Sequence, residues 1–372
     1  MIVDYLKLIG FWAASVVAGL LLSVAFNPFA FVTVAVLSAI MLSAGLLSAI
    51  LIVALKPLLV RYALARPNAR SSHTIPTPQG GGIAVVGAVL VTMALAFSVL
   101  GLPEHFFKAF VILAGASMFL AIVGAVDDIR PLPAGLRLVL QVAAVAAVVV
   151  TSGLRILPDV VPLAVEQAIL ILGGVWFVNL VNFMDGLDWI TVAEMVPVTA
   201  AIAVLGPAAG LPMSILVTFV ALALCGALLG FAPFNKPVAR LFLGDVGSLP
   251  IGLLVGWMLL QLAGTGTIAA ALLLPLYYLT DATVTLLRRL ARGEKVWEAH
   301  RTHFYQKATD NGFSALAVSA HVFGLNLALA GLAAMTLVWR SAAVQAAALA
   351  AGLALVILVL RLFSRPRSKV VR

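Results

Sequence analysis

The chain has 372 residues, of which 63% are hydrophobic and only 10% are charged, and its formal net charge is +9. A soluble protein carries roughly a quarter charged residues, so this composition excludes an ordinary soluble fold. The single cysteine, Cys225, lies in an apolar run, which excludes a disulfide framework and a cysteine metal site. The excess of positive charge is better explained by the placement of membrane loops than by nucleic-acid binding.

Apolar stretches of about 20 residues recur along the whole chain, as in polytopic membrane proteins. We place the spans near residues 8–26, 33–56, 81–100, 107–126, 137–152, 165–183, 191–206, 211–231, 247–263, 267–283, 314–337 and 342–362. The predicted fold class is therefore all-α, a transmembrane helical protein with about 11–12 spans. The first stretch is long for a signal peptide and lacks a small-residue cleavage site, so a retained helix is expected.

Basic residues are distributed unevenly between the two sets of loops. All but three of the 23 Lys and Arg residues fall at the termini or in the connections after spans 2, 4, 6, 8 and 10. The three exceptions are Lys108, Arg155 and Arg340. This asymmetry predicts that those five connections are cytoplasmic. The opposite loops are short and carry little polar chemistry, so the function is expected on the cytoplasmic face.

Two of the cytoplasmic connections carry carboxylates at the edge of a span. Asp127 and Asp128 are adjacent in "GAVDDIR", and neighbouring carboxylates near lipid repel each other, so such a pair is usually kept for cation binding or proton transfer. Solvation of a helix end is the alternative. Asp245 stands between two glycines in "FLGDVGS", which suits a hard cation approached closely by backbone. An N-cap aspartate explains Asp245 equally well.

The stretch "NLVNFMDGLDWI", residues 179–190, places amides and carboxylates where a membrane helix would carry leucine. Asn179, Asn182 and Asp185 are three residues apart, so on a helix they would share one broad face. Gly186 permits a turn that would bring Asp188 into the same concavity. Such groups suit hydroxyls, a base edge or the water shell of a metal. Polar contacts between helices would explain one asparagine but not the whole set.

Two connections offer donors for phosphates. Arg70 and His73 lie in "RPNARSSHTIPTPQGGG", although a flexible basic loop explains that stretch as well. "AHRTH" places His300 and His303 one helical turn apart around Arg301. Imidazoles beside an arginine fit a phosphate better than zinc, because HExxH and further ligands are absent from this stretch.

The ordered set of a basic TP–GGG loop, "DD", "NxxNFMDGxD", "FLGDxGS" and "HxxH" resembles the polyprenyl-phosphate N-acetylhexosamine-1-phosphate transferases. The resemblance runs from about Lys56 to Ser314, and its details are similar to the enzymes that initiate O-antigen, capsule or other surface polysaccharides. Two features depart from the family pattern. Trp189 stands where the family has glycine, and span 8–26 precedes the usual first helix.

The resemblance implies transfer of a sugar-1-phosphate, an N-acetylated hexosamine, from a UDP-sugar to undecaprenyl phosphate with release of UMP. It would be the first membrane step of a surface polysaccharide such as O-antigen. The family requires Mg²⁺, with Mn²⁺ as the alternative ion. We expect Asp245 to bind the metal, Asp128 to lie close to it, and Asp127 to deprotonate or orient the lipid phosphate. The catalytic candidates are Asp127, Asp128, Asp245, His300 and His303. The substrate-binding candidates are Asn179, Asn182, Asp185, Asp188, Arg301, Arg70 and His73.

The chain is predicted to be one integral membrane domain, 1–372. Residues 8–56 would hold the N-terminal spans with one extra helix, 57–313 the catalytic core with five cytoplasmic loops, and 314–372 the last spans and a basic tail. The expected location is the bacterial inner membrane, in contact with membrane lipid and without a nucleic-acid partner, and a homodimer is one arrangement open to it. The alternative function is an ion- or proton-coupled transporter, which should place polar groups through the membrane depth and on both sides.

Overall fold

The computed structural model describes residues 28–65, 76–296 and 300–366. The helices are α1 Pro28–Tyr62, α2 Gly81–Leu100, α3 Glu104–Ile129, α4 Ala134–Ser152, α5 Leu163–Met184, α6 Ile190–Ala208, α7 Ile215–Phe231, α8 Asp245–Gly264, α9 Ile268–Leu273, α10 Leu276–Ala291, α11 Phe304–Asp310, α12 Ala315–Val338 and α13 Ala342–Phe363. The two short strands β1 (Leu64–Ala65) and β2 (Thr77–Pro78) pair antiparallel.

The prediction of an all-α, polytopic membrane protein is confirmed. Nine helices in the described part of the chain are long and apolar enough to cross a membrane, and α7, with 17 residues, is a shorter apolar helix. The predicted first span, 8–26, lies outside the described residues, as do the two ends of the predicted single domain. The division of the chain at residues 57 and 314 stays a prediction.

The predicted span 267–283 is not one continuous helix. It consists of α9 and the first part of α10, which are separated at Leu274 and Pro275. Proline lacks the backbone N–H that an α-helix needs, and its ring clashes with the preceding turn, so the helix breaks there. The second piece continues to Ala291, well beyond the predicted end.

Helix α8 lies at the centre of the bundle and packs mainly against α3 and α5. Within its apolar stretch 83% of the residues are buried, against 22% for the peripheral helix α13. Glycine permits the close approach at its first turn, because a Cβ on Gly82 of α2 would lie 2.1 Å from the Cα of Gly247. The N-terminus of α8, with Asp245, is thereby fixed between α2 and α3.

The connections that were predicted to be cytoplasmic meet at one end of the bundle. Phe242 donates its backbone N–H to the carbonyl of Pro78 in β2 at 2.9 Å. Gln79 donates its side-chain amide to the carbonyl of Asp128 at 3.0 Å. Ala239 contacts Asp188 in the same region. These bonds join the connections that follow α1, α3, α5 and α7.

Candidate active site

Asp127 and Asp128, at the end of α3, have different partners. Asp127 forms an ion pair with Arg137 of α4 at 2.9 Å and accepts the backbone N–H of Leu132 at 2.7 Å. Asp128 accepts the N–H groups of the first two residues of α8, at 3.1 and 3.2 Å. The N–H groups at a helix N-terminus have no partner within the helix and favour a negative charge there, so Asp128 joins α3 to α8.

Asp245 is the first residue of α8, and its side chain is more exposed than that of Asp127. Gly244 occupies the N-cap position with φ 77°, so the alternative that Asp245 is itself the N-cap is wrong. The Asp245 side chain is 27% exposed, against 11% for Asp127, and lies 3.9 Å from Arg137. It also interacts electrostatically with Asp127 and Asp128. Arg137 is thus shared by Asp127 and Asp245, and the third carboxylate, Asp128, lies beside them, which favours the binding of a cation.

The acidic group fits a magnesium site of limited protein coordination. Within residues 28–65, 76–296 and 300–366, no group of three or more His, Cys, Asp or Glu side chains is arranged to hold a metal ion. Mg²⁺ is commonly bound through one or two carboxylates and completes its shell with water and substrate phosphates. Asp245, with Asp128 close by, suits that pattern better than a closed zinc site.

The polar residues of α5 divide between two neighbourhoods. Asn182 donates to the hydroxyl of Ser248 on α8 at 2.9 Å and also contacts Asp245. Asn179 instead donates to Gln141 of α4 at 2.6 Å. Asn182 therefore lies at the acidic group, whereas Asn179 lies at a cavity of about 400 Å³ between α4 and α5. The cavity is lined by Ala134, Gly135, Arg137, Leu138, Gln141, Asn179 and Phe183.

Asp185 follows α5 and lies beside the acidic group. Its surface is partly exposed, yet the carboxyl is densely surrounded, and this burial raises the pKa of Asp185 to about 8. The Thr191 hydroxyl, which donates to Asp185, opposes the rise, and the charges of Asp245 and Asp128 add to it. A raised pKa favours the protonated form of Asp185, which can donate a hydrogen bond.

Asp188 is placed apart from Asp185. Its side chain is 4% exposed and accepts the backbone N–H of Ala239 at 3.0 Å, while its carbonyl accepts the hydroxyl of Ser319 at 2.7 Å. These contacts hold the 232–244 connection and α12 against the turn after α5. A contact between Asp188 and the nucleotide sugar stays a prediction.

Trp189 has a left-handed backbone, with φ 64°, and is the one non-glycine residue with positive φ among those that the structure describes. Its backbone N–H donates to Asn235 at 2.8 Å, and its indole N–H donates to the carbonyl of Ala232 at 2.5 Å. The left-handed region favours glycine, which explains the glycine of the family pattern at this position.

The "HRTH" segment is not helical, so the predicted helical turn between the two histidines is wrong. Helix α11 begins at Phe304, and His303 is its N-cap residue. The helix starts there because Asp281 of α10 accepts the N–H groups of Phe304 and Tyr305, at 3.0 and 3.2 Å. The rings of His300 and His303 nevertheless stack, with centroids 4.8 Å apart.

His300 is half-buried and neutral. Burial lowers its pKa to about 4, and the neighbouring His303 and Arg289 contribute to the decrease. Its Nδ1 lies 2.9 Å from the hydroxyl of Thr302, a natural donor to that nitrogen. If Thr302 donates, the proton of His300 is on Nε2, which gives an uncharged donor at pH 7.

The other residues of this segment bind within the protein. His303 is 3% exposed, and its Nδ1 lies 3.3 Å from Asp281. Arg301 forms an ion pair with Asp310 at 3.1 Å and donates to Thr309. Arg70 and His73 lie outside the described residues.

Helix α11 docks against the end of α5 that carries Asn182. The hydroxyl of Tyr305 donates to the carbonyl of Phe183 at 3.0 Å, and the rings of Phe183 and His303 are 6.5 Å apart. The histidine segment therefore lies at the same end of the bundle as the acidic group.

The structure adds three residues that the motifs did not identify: Arg137, Gln141 and Asp281. Arg137 lies in the first turn of the helix that follows the aspartate pair, and a basic residue so close to two carboxylates was a usable signal. Gln141 lies one turn further along the same helix. Asp281 is separated from His303 by 22 positions, and nothing in the spacing links them.

Residues 110–263 match the model of glycosyl transferase family 4. The decaprenyl-phosphate N-acetylglucosaminephosphotransferase of Mycobacterium tuberculosis (strain ATCC 25618 / H37Rv) is 29% identical over 287 residues, 68% of this chain and 70% of the relative. The Bacillus subtilis (strain 168) protein named "Probable undecaprenyl-phosphate N-acetylglucosaminyl 1-phosphate transferase" is 24% identical over 266 residues, 68% of this chain and 71% of the relative.

A shorter match has higher identity. The phospho-N-acetylmuramoyl-pentapeptide-transferase of Clostridium beijerinckii (strain ATCC 51743 / NCIMB 8052) is 39% identical over 84 residues, 23% of this chain and 25% of the relative. The segment matched by the family model contains the aspartate pair, the 179–190 stretch and Asp245. Residues 110–263 therefore match glycosyl transferase family 4, and the predicted resemblance to the polyprenyl-phosphate N-acetylhexosamine-1-phosphate transferases is confirmed.

Proposed function

We propose that this protein transfers N-acetylglucosamine-1-phosphate, or a related N-acetylhexosamine-1-phosphate, from a UDP-sugar to undecaprenyl phosphate and releases UMP. The product would be the first lipid-linked intermediate of a surface polysaccharide such as O-antigen. The observation that carries the proposal is the grouping of Asp127, Asp128, Asn182, Asp185 and Asp245 at one end of the bundle, inside the family segment.

The proposed reaction exchanges one phosphoanhydride for another. An oxygen of the lipid phosphate attacks the β-phosphorus of the UDP-sugar, a new P–O–P bond forms to the lipid, and the bond to UMP breaks. No large intrinsic driving force is needed, so the main obstacle is the repulsion between two anions. Fixed donors and accurate positioning of both substrates offset that repulsion.

The donor side of the proposed site combines a cation with uncharged hydrogen-bond donors. Mg²⁺, or Mn²⁺ in its place, would be held by Asp245 with Asp128 close by, and would neutralise charge on the diphosphate. Asn182 and protonated Asp185 would bind the nucleotide sugar. His300, which is neutral at pH 7, would donate a hydrogen bond to the diphosphate.

The cavity between α4 and α5 supports a binding site for undecaprenyl phosphate, the acceptor of the proposed reaction. Leu138 is a large exposed apolar residue on its wall, and Arg137 supplies a guanidinium beside Asp127. An apolar wall with a single cation suits a polyprenyl chain that ends in a phosphate. Asp127 would then orient the lipid phosphate through Arg137. The second pKa of a phosphate is about 6, so a strong base is not required at pH 7.

The proposed location is the bacterial inner membrane with the site on the cytoplasmic face. Support comes from the basic residues of the converging connections, because cytoplasmic loops are enriched in Lys and Arg. The polar groups at this end also argue against a transporter, which would need them through the membrane depth. A homodimer stays a prediction.

The proposal is tested by measuring UMP release from purified protein supplied with UDP-N-acetylglucosamine, undecaprenyl phosphate and Mg²⁺. We expect UMP only when both substrates are present, and a loss of at least about 100-fold in Asp245→Asn. Arg130→Gln, at an exposed position after the aspartate pair, serves as the matched control and should keep wild-type turnover. UMP release without the lipid, or an Asp245→Asn variant that works at the wild-type rate, would contradict the proposal.

A further inference from the structure

We infer that Asp281 is a positioning residue that fixes the His300–His303 pair for the donor diphosphate. The inference rests on the proposed function for its activity readout. Asp281 is fully buried in α10 and belongs to none of the sequence motifs. Its partners are nevertheless the histidine segment and the start of α11.

The two oxygens of Asp281 divide these partners between them. Oδ1 accepts the backbone N–H of Phe304 at 3.0 Å and lies 3.3 Å from Nδ1 of His303. Oδ2 accepts the N–H of Tyr305 and the hydroxyl of Tyr277, each at 3.2 Å. One carboxylate therefore holds both the first turn of α11 and the imidazole that precedes it.

Helix α11 needs such an external partner. It has seven residues, and isolated helices of that length are not stable in water. Its first N–H groups have no partner within the helix, and a carboxylate on a neighbouring helix satisfies them. A buried carboxylate is costly unless it is hydrogen-bonded, and the donors around Asp281 offset that cost.

The contact with Nδ1 has a consequence for the chemistry of His303. When Nδ1 donates to Asp281, Nε2 is the nitrogen left to act as an acceptor or as a ligand to substrate. The same ring stacks against His300, with centroids 4.8 Å apart. The orientation of both imidazoles thus depends on one carboxylate that touches neither substrate.

A second buried carboxylate nearby, that of Glu194, has different hydrogen-bond partners. Glu194 of α6 accepts the side-chain amide of Asn326 at 2.5 Å and lies 3.4 Å from the backbone nitrogen of Tyr278. No hydrogen bond joins it to the histidines among the described residues. Burial of a carboxylate in this region therefore does not by itself imply a role in positioning the imidazoles.

The inference is tested by a double-mutant cycle between Asp281→Asn and His303→Ala. We expect Asp281→Asn to lower kcat by about 10- to 100-fold, as for other residues that orient a functional histidine, with a smaller effect on the KM for the UDP-sugar. In the His303→Ala background the same substitution should cost less than about threefold, because residues that act as a unit are not additive. Tyr277→Phe removes a donor from Oδ2 alone and is the matched control, expected within about threefold of wild type.

One further variant and one spectroscopic measurement complete the test. If Asp281→Asn does not accumulate, His303→Asn retains an amide N–H near the position of Nδ1 and lacks Nε2. It should fold and lose at least about tenfold in turnover. Independently of activity, ¹⁵N-histidine NMR should show His303 protonated at Nδ1 in the wild type, with the signal assigned through its loss in His303→Asn.

Equal losses from Asp281→Asn in both backgrounds, wild-type turnover of His303→Asn, or a His303 protonated only at Nε2 would each overturn the inference. Failure of the proposed function is a separate result, because the wild-type protein would then release no UMP while the NMR arm would still report on Asp281.

Discussion

Asp127 and Asp128 are adjacent in sequence but join different helices. Successive side chains on a helix diverge by about 100°, so one carboxylate reaches α4 through Arg137 while its neighbour reaches the start of α8. The pair is therefore tolerated because each member has its own donors. The sequence indicated that the two carboxylates repel each other and that such a pair is kept for a function. The structure adds that Asp128 also positions Asp245.

At His300 the low pKa makes a specific prediction about pH. A pKa of about 4 means that His300 stays neutral as the pH falls from 8 to 6 and gains a proton only near pH 4. Glutamine can replace a neutral Nε2–H donor, so His300→Gln should retain more turnover than His300→Ala, which we expect to lose about 10- to 100-fold. The ratio of wild-type to His300→Gln turnover should be constant between pH 6 and 8. A ratio that rises as the pH falls through 6.5 would show that the protonated form of His300 is used.

Trp189 allows backbone strain to be separated from side-chain contacts. Trp189→Ala and Trp189→Gly both remove the indole and its bond to Ala232, but only glycine relieves the left-handed conformation. The glycine variant should therefore be more stable than the alanine variant by roughly 1–2 kcal/mol, measured by thermal unfolding in detergent. The ranking of UDP-sugars should be the same in both variants and in the wild type, because the indole N–H already has a partner. A changed ranking would place Trp189 in the donor pocket.

At the scale of the elements, the position of α8 depends on glycine in its neighbours. A Cβ on Gly124 of α3 would lie 2.3 Å from the carbonyl oxygen of Asp245, whereas a Cβ on Gly115 of the same helix would meet nothing within 4 Å. Gly124→Ala must therefore displace the first turn of α8 and its carboxylate.

We expect Gly124→Ala to reduce turnover on the order of 10- to 100-fold, because small displacements of catalytic groups are costly. Gly115→Ala should be neutral, and comparison of the two variants by UMP release controls for helix propensity. Full activity of Gly124→Ala would mean that the first turn of α8 does not set the geometry of the site.

The elements were predictable where the signal was local. Long apolar stretches identified the membrane helices, because an α-helix satisfies its own backbone hydrogen bonds in lipid and needs about 20 apolar residues to cross it. Proline at position 275 could have marked the break between α9 and α10. The non-helical form of "HRTH" was not predicted from the spacing of its histidines, because the start of α11 is set by Asp281 on another helix together with Gln306, whose side chain accepts the N–H of His303. Likewise, Asn179 and Asn182 follow a helical period, yet α4 and α8 pack against them and separate their roles.

At the scale of the whole molecule, the connections after α3, α5, α7 and α10 meet at the same end. Polar residues that are distant in sequence, such as Asp127, Asp188 and Asp245, are brought there by helix packing alone. The order of the motifs was therefore sufficient to predict one shared site, while the partners of each side chain required the structure.

The orientation of the bundle can be tested by cysteine labelling, because the single native thiol, Cys225, is buried. Lys236→Cys would place an exposed thiol at the end of the bundle that carries the candidate site, and Asp159→Cys would place one at the opposite end. In intact spheroplasts a membrane-impermeant maleimide should label Asp159→Cys, and Lys236→Cys only after permeabilisation. The wild-type protein is the control for Cys225. The reverse pattern would put the candidate site outside the cell.

In the proposed reaction the sugar leaves the nucleotide together with its phosphate. This transfer is tested most directly with UDP-N-acetylglucosamine labelled with ³²P at the β-phosphate, incubated with the protein, undecaprenyl phosphate and Mg²⁺. We expect the label to move into the lipid fraction and the released nucleotide to be unlabelled UMP. Label retained in released UDP, with an unlabelled glycolipid, would show transfer of the sugar alone and would contradict the account.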